Sequence, residues 1–427
     1  MKDEITVTYI YSACIVTATP DLRIVHDPWF TEGVYDGSWF HFPAVRDPIE
    51  SIGNVDLVYV SHIHPDHYDP QFLRTYFSIF GEKRIIIADH SPSHLAGKAR
   101  ADGLATTALR EPMIIGNTRL EIIPHKTGSQ SDIDSAIIVK YFDGHRTHCV
   151  VNANDIIFDD AMLEKLSDAV GQVDVLLCGY TGAGPYPQTY FDAGDPELIK
   201  EAQRKKQTFF DRYRRLVAAI GATVNIPFAG KYLLGGRLTG MNRFRGVADA
   251  TEILSIDPRA VVLADEGGTI GTADRLPSSV RVRPYSPEDV ARREREIADR
   301  KMDYERLMIA EEAHQLPIKR LLSQAARRAV EKSECVEDYF FVFRLPSAER
   351  IVINANRAAT APIACLKASD SLPEPRSEIE IDIRYLFGLL TNVYHWNNAE
   401  VGSQFNTRRV PNVFNRQAQS FLNYLAV

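Results

Sequence analysis

Apolar and polar residues near the N-terminus follow a pattern typical of short β-strands. Residues 5–17 and 22–26 read as two strands, separated by a turn at Thr19-Pro20-Asp21. A further strand is predicted at Val58-Tyr59-Val60, because β-branched and aromatic residues favour extended backbone. The polar residues that follow, together with Pro65, cannot continue a strand. We therefore expect them on a loop at the C-terminal end of a strand, where folds commonly carry functional residues.

Helices and strands alternate in the next part of the chain. A helical pattern covers residues 71–80, and an apolar strand follows at 84–88. Further strands are predicted at 112–116, 118–124 and 136–141. This alternation indicates a mixed α/β domain, which we place at residues 1–285.

An aromatic-rich loop interrupts the N-terminal pattern between Trp29 and Pro43. Two interpretations stay open for this loop. It forms a flap over a functional site, or Trp29 and Trp39 pack it against the fold.

The pattern changes at Ser286, where a helical arm over residues 286–334 is predicted. Ser286-Pro287-Glu288-Asp289 has a capping serine, a proline in the first turn and acidic residues that favour a helix start. Pro317 ends or kinks the arm, and a second helix is predicted at 318–330. Its apolar positions are seven residues apart at Val290, Ile297 and Tyr304. These residues either form the seam of a dimeric coiled coil or pack against the body of the protein. A homodimer is therefore one of two open interpretations.

The remaining residues, 335–427, read as an α/β extension. Strands are predicted at 339–345, 351–355 and 378–383, and a final helix at 413–426.

Composition narrows the class of protein. The chain has 427 residues, of which 45% are hydrophobic and 25% charged, as expected for a soluble globular protein with room for more than one domain. Its formal net charge of −7 and the lack of a basic run argue against nucleic-acid binding. No segment approaches the roughly 18 apolar residues of a membrane span, and the N-terminus lacks the apolar core of a signal peptide. The five scattered cysteines predict a reduced, cytoplasmic protein, and we expect a small-molecule substrate as its partner.

The strongest chemical signal is the sequence His62-Ile63-His64-Pro65-Asp66-His67. His62 and His64 are two residues apart on extended backbone, so both imidazoles project the same way and converge on one divalent ion. Asp66 and His67 lie beyond the turn at Pro65 and point to a neighbouring position, for a second ion or a water. Imidazole and carboxylate ligands suit Zn, Fe or Mn better than Ca or Mg. A cluster of solvated loop histidines is the weaker alternative, since four ligand-type side chains fall within this short run.

This motif, after an apolar strand, resembles the metal motif of the metallo-β-lactamase superfamily. The resemblance implies an αββα metallo-β-lactamase sandwich over residues 1–285 with a C-terminal helical and α/β extension. It also implies a divalent metal cofactor, one or two ions per chain, with Asp66 and His67 in catalytic roles. Asp27, in an Asp-Pro turn after a strand, looks like the superfamily residue that lies beside the metals.

The same resemblance implies further ligands. His125 stands at a strand end where the superfamily places the third ligand of its first metal, with His90 and His94 as competitors. Asp155 occupies the place of the bridging aspartate. Asp134 is the preferred partner for a ligand imidazole, although a plain turn-forming role stays open for it.

A narrower resemblance is to the CMP-N-acetylneuraminate hydroxylase family. Asn152-Ala153-Asn154-Asp155, the glycine loop containing Gly182 and Gly184, and Phe228-Ala229-Gly230 look like the corresponding stretches of that family. A glycine loop lets backbone amides approach an anionic group closely. We accordingly expect Asn154, Gly182, Gly184 and Lys231 to contact an anionic or sugar/nucleotide-like substrate.

Two departures from that family limit the prediction. The paired Cys-x-His motifs of an iron–sulfur Rieske domain are absent from this sequence. Lys231 follows Gly230 where the family tends to offer a late histidine, so the second metal site is completed by His395 or Asp265, or stays empty.

Three functions therefore compete. The first is a metallo-hydrolase that activates water. The second is a dinuclear non-haem iron oxygenase that uses O₂ and an external reductant. The third is a non-enzymatic binding protein for an anionic sugar or nucleotide.

Overall fold

The N-terminal strands and the parallel strands that follow form a first sheet. In the computed structural model, which describes residues 3–127, 132–345 and 349–427, its strands in spatial order are Gly268–Gly271, Thr6–Tyr11, Cys14–Ala18, Arg23–His26, Leu57–Tyr59, Arg84–Ala88 and Thr106–Leu109. The prediction of a single strand over 5–17 is wrong. The chain reverses at Ser12, whose φ of 50° lies in the left-handed region, and the two halves pair antiparallel. Apolar residues continue on both sides of the reversal, so the pattern alone did not mark it.

A second sheet lies against the first. Its strands in spatial order are Val224–Phe228, Val175–Gly179, Thr147–Asn152, Ser135–Phe142, Thr118–Pro124 and Met113–Ile115. The apolar residues between the two sheets form one buried cluster, in which Val7 and Ile24 of the first sheet meet Leu120 and Val175 of the second. This cluster fixes the two sheets face to face.

Helices cover the outer face of each sheet. Pro48–Ile52, Pro70–Phe80 and His94–Ala101 pack on the first sheet, and Asp160–Val170 and Pro196–Ile220 pack on the second. The last of these, Pro196–Ile220, is called the cleft helix below. It begins where the Asp195 side chain accepts a hydrogen bond from the Glu197 amide at 2.9 Å. The predicted αββα sandwich is confirmed.

The C-terminal part contains its own sheet and helices. The strands of this C-terminal sheet are Ile363–Leu366, Arg350–Asn354, Phe340–Arg344, Arg376–Glu380 and Asn406–Val410. The α-helices of this part are Pro287–Ile297, Asp303–Leu307, Ile318–Lys332, Ile383–Leu390, Trp396–Val401 and Arg416–Phe421. The short strands Trp39–Phe40 and Leu233–Leu234 pair apart from the main sheets, and 3₁₀ helices cover Gly236–Phe244, Ala250–Ser255, Ala310–Gln315 and Leu422–Tyr424.

Two predicted C-terminal elements have different bounds in the structure. The strand predicted at 378–383 ends at Glu380, because the Asp382 side chain accepts a hydrogen bond from the Arg384 amide at 2.9 Å and begins a helix. The helix predicted at 413–426 covers only Arg416–Phe421, since the Asn415 side chain caps it at the Ala418 amide. The isoleucine alternation and the apolar tail residues were compatible with either structure.

One hydrophobic core joins all three predicted ranges. Trp29 and Trp39 are each 1% exposed and pack in the same cluster as Tyr304 and Leu322 of the arm and Trp396 of the extension. The aromatic loop is therefore packed into the fold. The boundaries at 285 and 335 stay a prediction, but the three parts share this core.

The arm is not one continuous helix. Its first helix ends at Ile297, and the short helix Asp303–Leu307 follows after a break. Ile297 and Tyr304 are both buried against the body of the protein, which favours packing over the coiled-coil interpretation.

Two further sequence expectations can be compared with the structure. Within the described ranges, no helix combines the length and apolar character that crossing a bilayer requires. Cys14, Cys149, Cys178 and Cys335 are buried free thiols, whereas Cys365 is exposed on the strand Ile363–Leu366, contrary to the expectation of core positions.

A buried carboxylate links the aromatic loop to the extension. The Tyr385 hydroxyl donates a hydrogen bond to Asp36 Oδ2 at 2.5 Å. Burial raises the pKa of Asp36 to about 7, and the Tyr385 hydrogen bond only partly opposes this. The backbone φ of Asp36 is 62°, a left-handed value that asparagine also tolerates well.

We expect Asp36→Asn to become more stable relative to wild type as the pH rises from about 4 to about 7. In this window the unfolded chain releases the Asp36 proton while the folded protein retains it, so the free energy of unfolding of the wild type falls with pH. Asparagine does not titrate. Urea denaturation of both proteins across this window measures the difference, and Asp211→Asn, at a residue exposed on the cleft helix, is the control. A difference that does not change with pH contradicts the prediction.

Candidate metal centre

The histidine-rich segment forms a tight loop at the edge where the two sheets meet. This segment, residues 60–68, is called the ligand loop and follows the strand Leu57–Tyr59. The amides of His67 and Tyr68 both donate to the His64 carbonyl, at 3.0 and 2.8 Å, and close a turn around Pro65. The Ser61 amide donates to Asp27 Oδ1 at 2.7 Å. The loop is therefore closed by its own backbone hydrogen bonds and held near its start by the buried Asp27 carboxylate.

The first donor group is a pair of converging imidazoles. His62 Nε2 and His64 Nδ1 lie 2.8 Å apart. His125, at the end of the strand Thr118–Pro124, donates its amide to the Asp134 carbonyl at 2.9 Å. Among the residues that the structure describes, the buried His125 Nε2 has no hydrogen-bond partner. A buried imidazole nitrogen without a partner is unusual, and a metal ion satisfies it as well as a proton donor does.

The second donor group surrounds His67. Its Nε2 lies 3.4 Å from Asp66 Oδ2 and 3.3 Å from Asp155 Oδ2. Ligand atoms of His62, His67 and Asp155 all lie within 4.8 Å of one another. Burial lowers the pKa of His67, but Asp66, Asp155 and Asp27 outweigh it and hold the pKa well above its ordinary value. The imidazolium thus balances carboxylate charge that a divalent ion also balances.

The opposite ring nitrogens of the histidines are held by hydrogen bonds. Asp27 Oδ2 lies 3.1 Å from His67 Nδ1, and Ser61 Oγ lies 2.9 Å from His62 Nδ1. Asp134 Oδ1 is 3.5 Å from His62 Nδ1. Such partners fix the orientation of a ligand imidazole and direct its Nε2 inward. Asp27 and Asp134 therefore lie where supporting residues are needed.

Two polar contacts come from residues that sequence reasoning missed. His64 Nε2 lies 2.8 Å from Asn397 Oδ1, which belongs to the helix Trp396–Val401 of the extension. The Tyr35 hydroxyl donates to Asp66 Oδ1. Tyr35 lies in the aromatic loop that the sequence marked as unusual. Asn397 carried no signal, because it is far from the motif along the chain and asparagine at a helix start is common.

The alternative ligands do not join these groups. His90 Nε2 bonds to the Asp134 carbonyl at 3.0 Å, and His94 begins the helix His94–Ala101. His395 Nδ1 accepts a hydrogen bond from the Asn397 amide at 3.3 Å, at the helix start beside His64. Asp265 pairs with Lys231 at 2.5 Å instead.

A cleft of about 290 Å³ opens beside the donor groups. Its lining contains the predicted substrate residues Asn154, Gly182 and Gly184 together with metal-centre residues His64, Asp66, Asp134 and Asp155. Asn154 Nδ2 donates to the Ser135 carbonyl at 3.3 Å, while its buried Oδ1 has no partner among the described residues.

Lys231 is absent from the lining of this cleft, and its contact with substrate stays a prediction. Its ammonium pairs with Asp265 and lies 4.9 Å from the centre of the Tyr9 ring. Lysine is long enough to reach a carboxylate that is distant along the chain, and the sequence position alone did not fix that direction.

We expect Asn397→Ala to weaken zinc binding by about 10- to 100-fold, because His64 loses the acceptor that orients its ring. Competition with a chromophoric chelator measures the affinity directly and needs no turnover. Asn397→Asp keeps an acceptor for His64 Nε2 and is expected to retain most of the affinity.

Asn398→Ala, at the next position of the same helix, is the matched control. Equal affinities of Asn397→Ala, Asn398→Ala and wild type would show that Asn397 does not position His64.

Comparison with known proteins identifies part of this chain. Residues 6–151 match the family profile described as the β-lactamase superfamily domain. A Mycolicibacterium smegmatis protein, provisionally named a Rieske 2Fe–2S iron–sulfur protein, is 32% identical over 218 residues, which cover 48% of this chain and 40% of that protein. The cytidine monophosphate-N-acetylneuraminic acid hydroxylase of Danio rerio is 24% identical over 252 residues, which cover 54% of this chain and 38% of that protein.

The chain thus matches less than half the length of these two curated relatives. Among solved structures, the diiron β-hydroxylase CmlA of Streptomyces venezuelae superposes with a TM-score of 0.43 at 15% identity, over 64% of this chain and 55% of that chain. A similarity of this size carries no functional argument.

Proposed function

We propose that this chain, whose residues 6–151 match the β-lactamase superfamily domain, is a metal-dependent hydrolase acting on a small anionic substrate. One observation carries the proposal. Two groups of donor atoms converge beside a single cleft, one around His62 Nε2 and His64 Nδ1 and the other around His67 Nε2. Their chemistry, imidazole nitrogen and carboxylate oxygen, suits Zn, Fe or Mn.

In this proposal, His62, His64 and His125 would hold one ion, and Asp66, His67 and Asp155 would hold the other. The unpartnered His125 Nε2 supports the first assignment. The two carboxylates on either side of His67 support the second. Ions bound there lower the pKa of a bound water toward about 7 and polarise the oxygen of the scissile bond.

The protein side chains then orient the reactants and move the proton. Asp27 and Asn397 hold the rings of His67 and His64 from outside the centre. Burial raises the pKa of Asp66, but the charges of His67 and His64 outweigh burial. The pKa of Asp66 is therefore below its ordinary value, and the carboxylate stays ionised. Asp66 lines the cleft, so it accepts the proton of the attacking water and returns it to the leaving group.

The second candidate function is an iron oxygenase. It is favoured by the names of two sequence relatives, a hydroxylase and a Rieske iron–sulfur protein. The same ligands suit iron, but an oxidation also requires electrons from an external reductant. Hydrolysis requires only water and a substrate small enough for the cleft, and we prefer it for this reason. The third candidate, a binding protein for an anionic sugar or nucleotide, predicts stoichiometric binding without turnover.

We expect protein purified without added metal or chelator to contain one or two zinc or manganese ions per chain and to hydrolyse members of an ester, lactone and phosphoester panel. Elemental analysis, a visible spectrum and oxygen consumption with a chemical reductant are measured on the same sample. Asp66→Asn is expected to lower kcat by about 10²- to 10⁴-fold, because the proton acceptor is lost.

Asp192→Asn, at an exposed residue outside the cleft, is the control for that substitution. Iron with a visible absorption band and oxygen uptake, without hydrolysis, would replace the proposal by the oxygenase. Protein with filled metal sites that shows neither hydrolysis nor oxygen uptake would favour the third candidate, the binding protein.

A further inference from the structure

An arginine without a carboxylate partner lines the cleft. In the described part of the chain, no carboxylate lies within ion-pair distance of the Arg212 guanidinium, which instead lies over the Phe209 ring at 4.9 Å from its centre. Although Arg212 is exposed to solvent, partial desolvation lowers the pKa of its guanidinium. An exposed guanidinium without a counter-charge is available to form charge-assisted hydrogen bonds with an anionic ligand.

The other cations near Arg212 already have partners. Arg215, one turn further along the cleft helix, pairs with Asp160 and donates to the Phe158 carbonyl at 3.1 Å. Lys206 pairs with Glu252 at 2.6 Å. Arg214 faces away from the cleft and pairs with Asp211 at 2.9 Å. Arg212 is thus distinguished from its neighbours by its free guanidinium.

The glycine loop explains why Arg212 is oriented toward the cleft. A Cβ on Gly182 would lie 1.8 Å from the edge of the Phe209 ring, so the ring occupies the space that a side chain at position 182 would take. Phe209 and Arg212 are three residues apart on the cleft helix and lie on the same face. The missing side chain of Gly182 therefore admits the ring on which the guanidinium rests.

The rest of the cleft suggests what kind of molecule fits. Besides the metal-centre residues and Arg212, the lining includes the apolar side chains of Ile157, Phe158, Leu163 and Leu216. The volume of about 290 Å³ accommodates a small molecule. Such a ligand has a compact body with apolar faces and an oxyanion at the end that meets the arginine.

We propose that Arg212 is the anion-recognition residue of this cleft and binds a phosphate or carboxylate group of the substrate. The assignment rests on the proposed function, because it takes the cleft to be the substrate site. It names a residue for the anionic substrate class and gives the Gly182 loop the role of supporting that residue through Phe209.

The test is equilibrium binding of phenylphosphonate and benzoate, neither of which has a bond that the proposed hydrolase would cleave, to the full-length, metal-containing protein by calorimetry. We expect Arg212→Gln to weaken binding of at least one of these probes by about 10- to 100-fold, because a charge-assisted hydrogen bond is lost. Arg212→Lys is expected to be intermediate, since lysine keeps the charge but lacks the planar fork. The probe that shows the larger loss tells whether the group is a phosphate or a carboxylate.

Arg214→Gln, on the outer face of the same helix, is the matched control and is expected to bind like wild type. Phe209→Leu removes the supporting ring and is expected to weaken binding less than Arg212→Gln. Failure of the wild type to bind either probe, or equal binding by wild type and Arg212→Gln, would overturn the assignment.

The readout is binding, so it is independent of the reaction. Arg212-dependent binding by a protein without hydrolytic activity would keep this assignment and reject the hydrolase. Hydrolysis by a protein whose probe binding does not depend on Arg212 would keep the hydrolase and reject this assignment.

Discussion

A buried carboxylate holds the ligand loop in place, and the site depends on it. Asp27 is fully buried; it accepts from the Ser61 amide and contacts His67 Nδ1, while its own amide donates to the Tyr59 carbonyl at 2.9 Å. Burial raises the pKa of Asp27, and His67 and Ser61 oppose that shift. A buried carboxylate is tolerable only with such donors. The loop and Asp27 therefore stabilise each other, and the direction of His67 follows from this pair.

The extension is part of the site, as well as part of the core. Trp396 is 2% exposed in the cluster that contains Trp29 and Trp39, and the next residue, Asn397, reaches His64. Because the same short helix carries the packing residue and the polar contact, the burial of Trp396 fixes the distance between Asn397 and His64. If His64 binds metal as proposed, loss of that packing disturbs a ligand imidazole, which couples the stability of the extension to the geometry of the centre.

The sequence predicted those parts of the site in which chemistry is local. The ligand loop was recognisable because four ligand-type side chains follow one strand, and Asp155 because it follows another. The contacts of Asn397 and Tyr35 join segments that meet only after folding, and no spacing along the chain encodes such a contact. The ion pair of Lys231 with Asp265 was not predictable for the same reason, since these two residues are far apart along the chain and meet only in the fold. The sandwich itself was predictable, whereas the reversal at Ser12 lies inside a continuous apolar pattern.

The charges that line the cleft link the proposed binding of metal ions to the proposed binding of substrate. Asp66, Asp134 and Asp155 all line it, and an anionic substrate approaching these carboxylates is repelled in a partly desolvated space. Divalent ions reverse the sign of the local charge at the donor groups. Arg212 supplies a fixed positive charge that does not depend on metal. If the cleft binds metal ions and an anionic substrate as proposed, each favours the binding of the other, because the ions neutralise the carboxylates that the body of an anion held by Arg212 approaches.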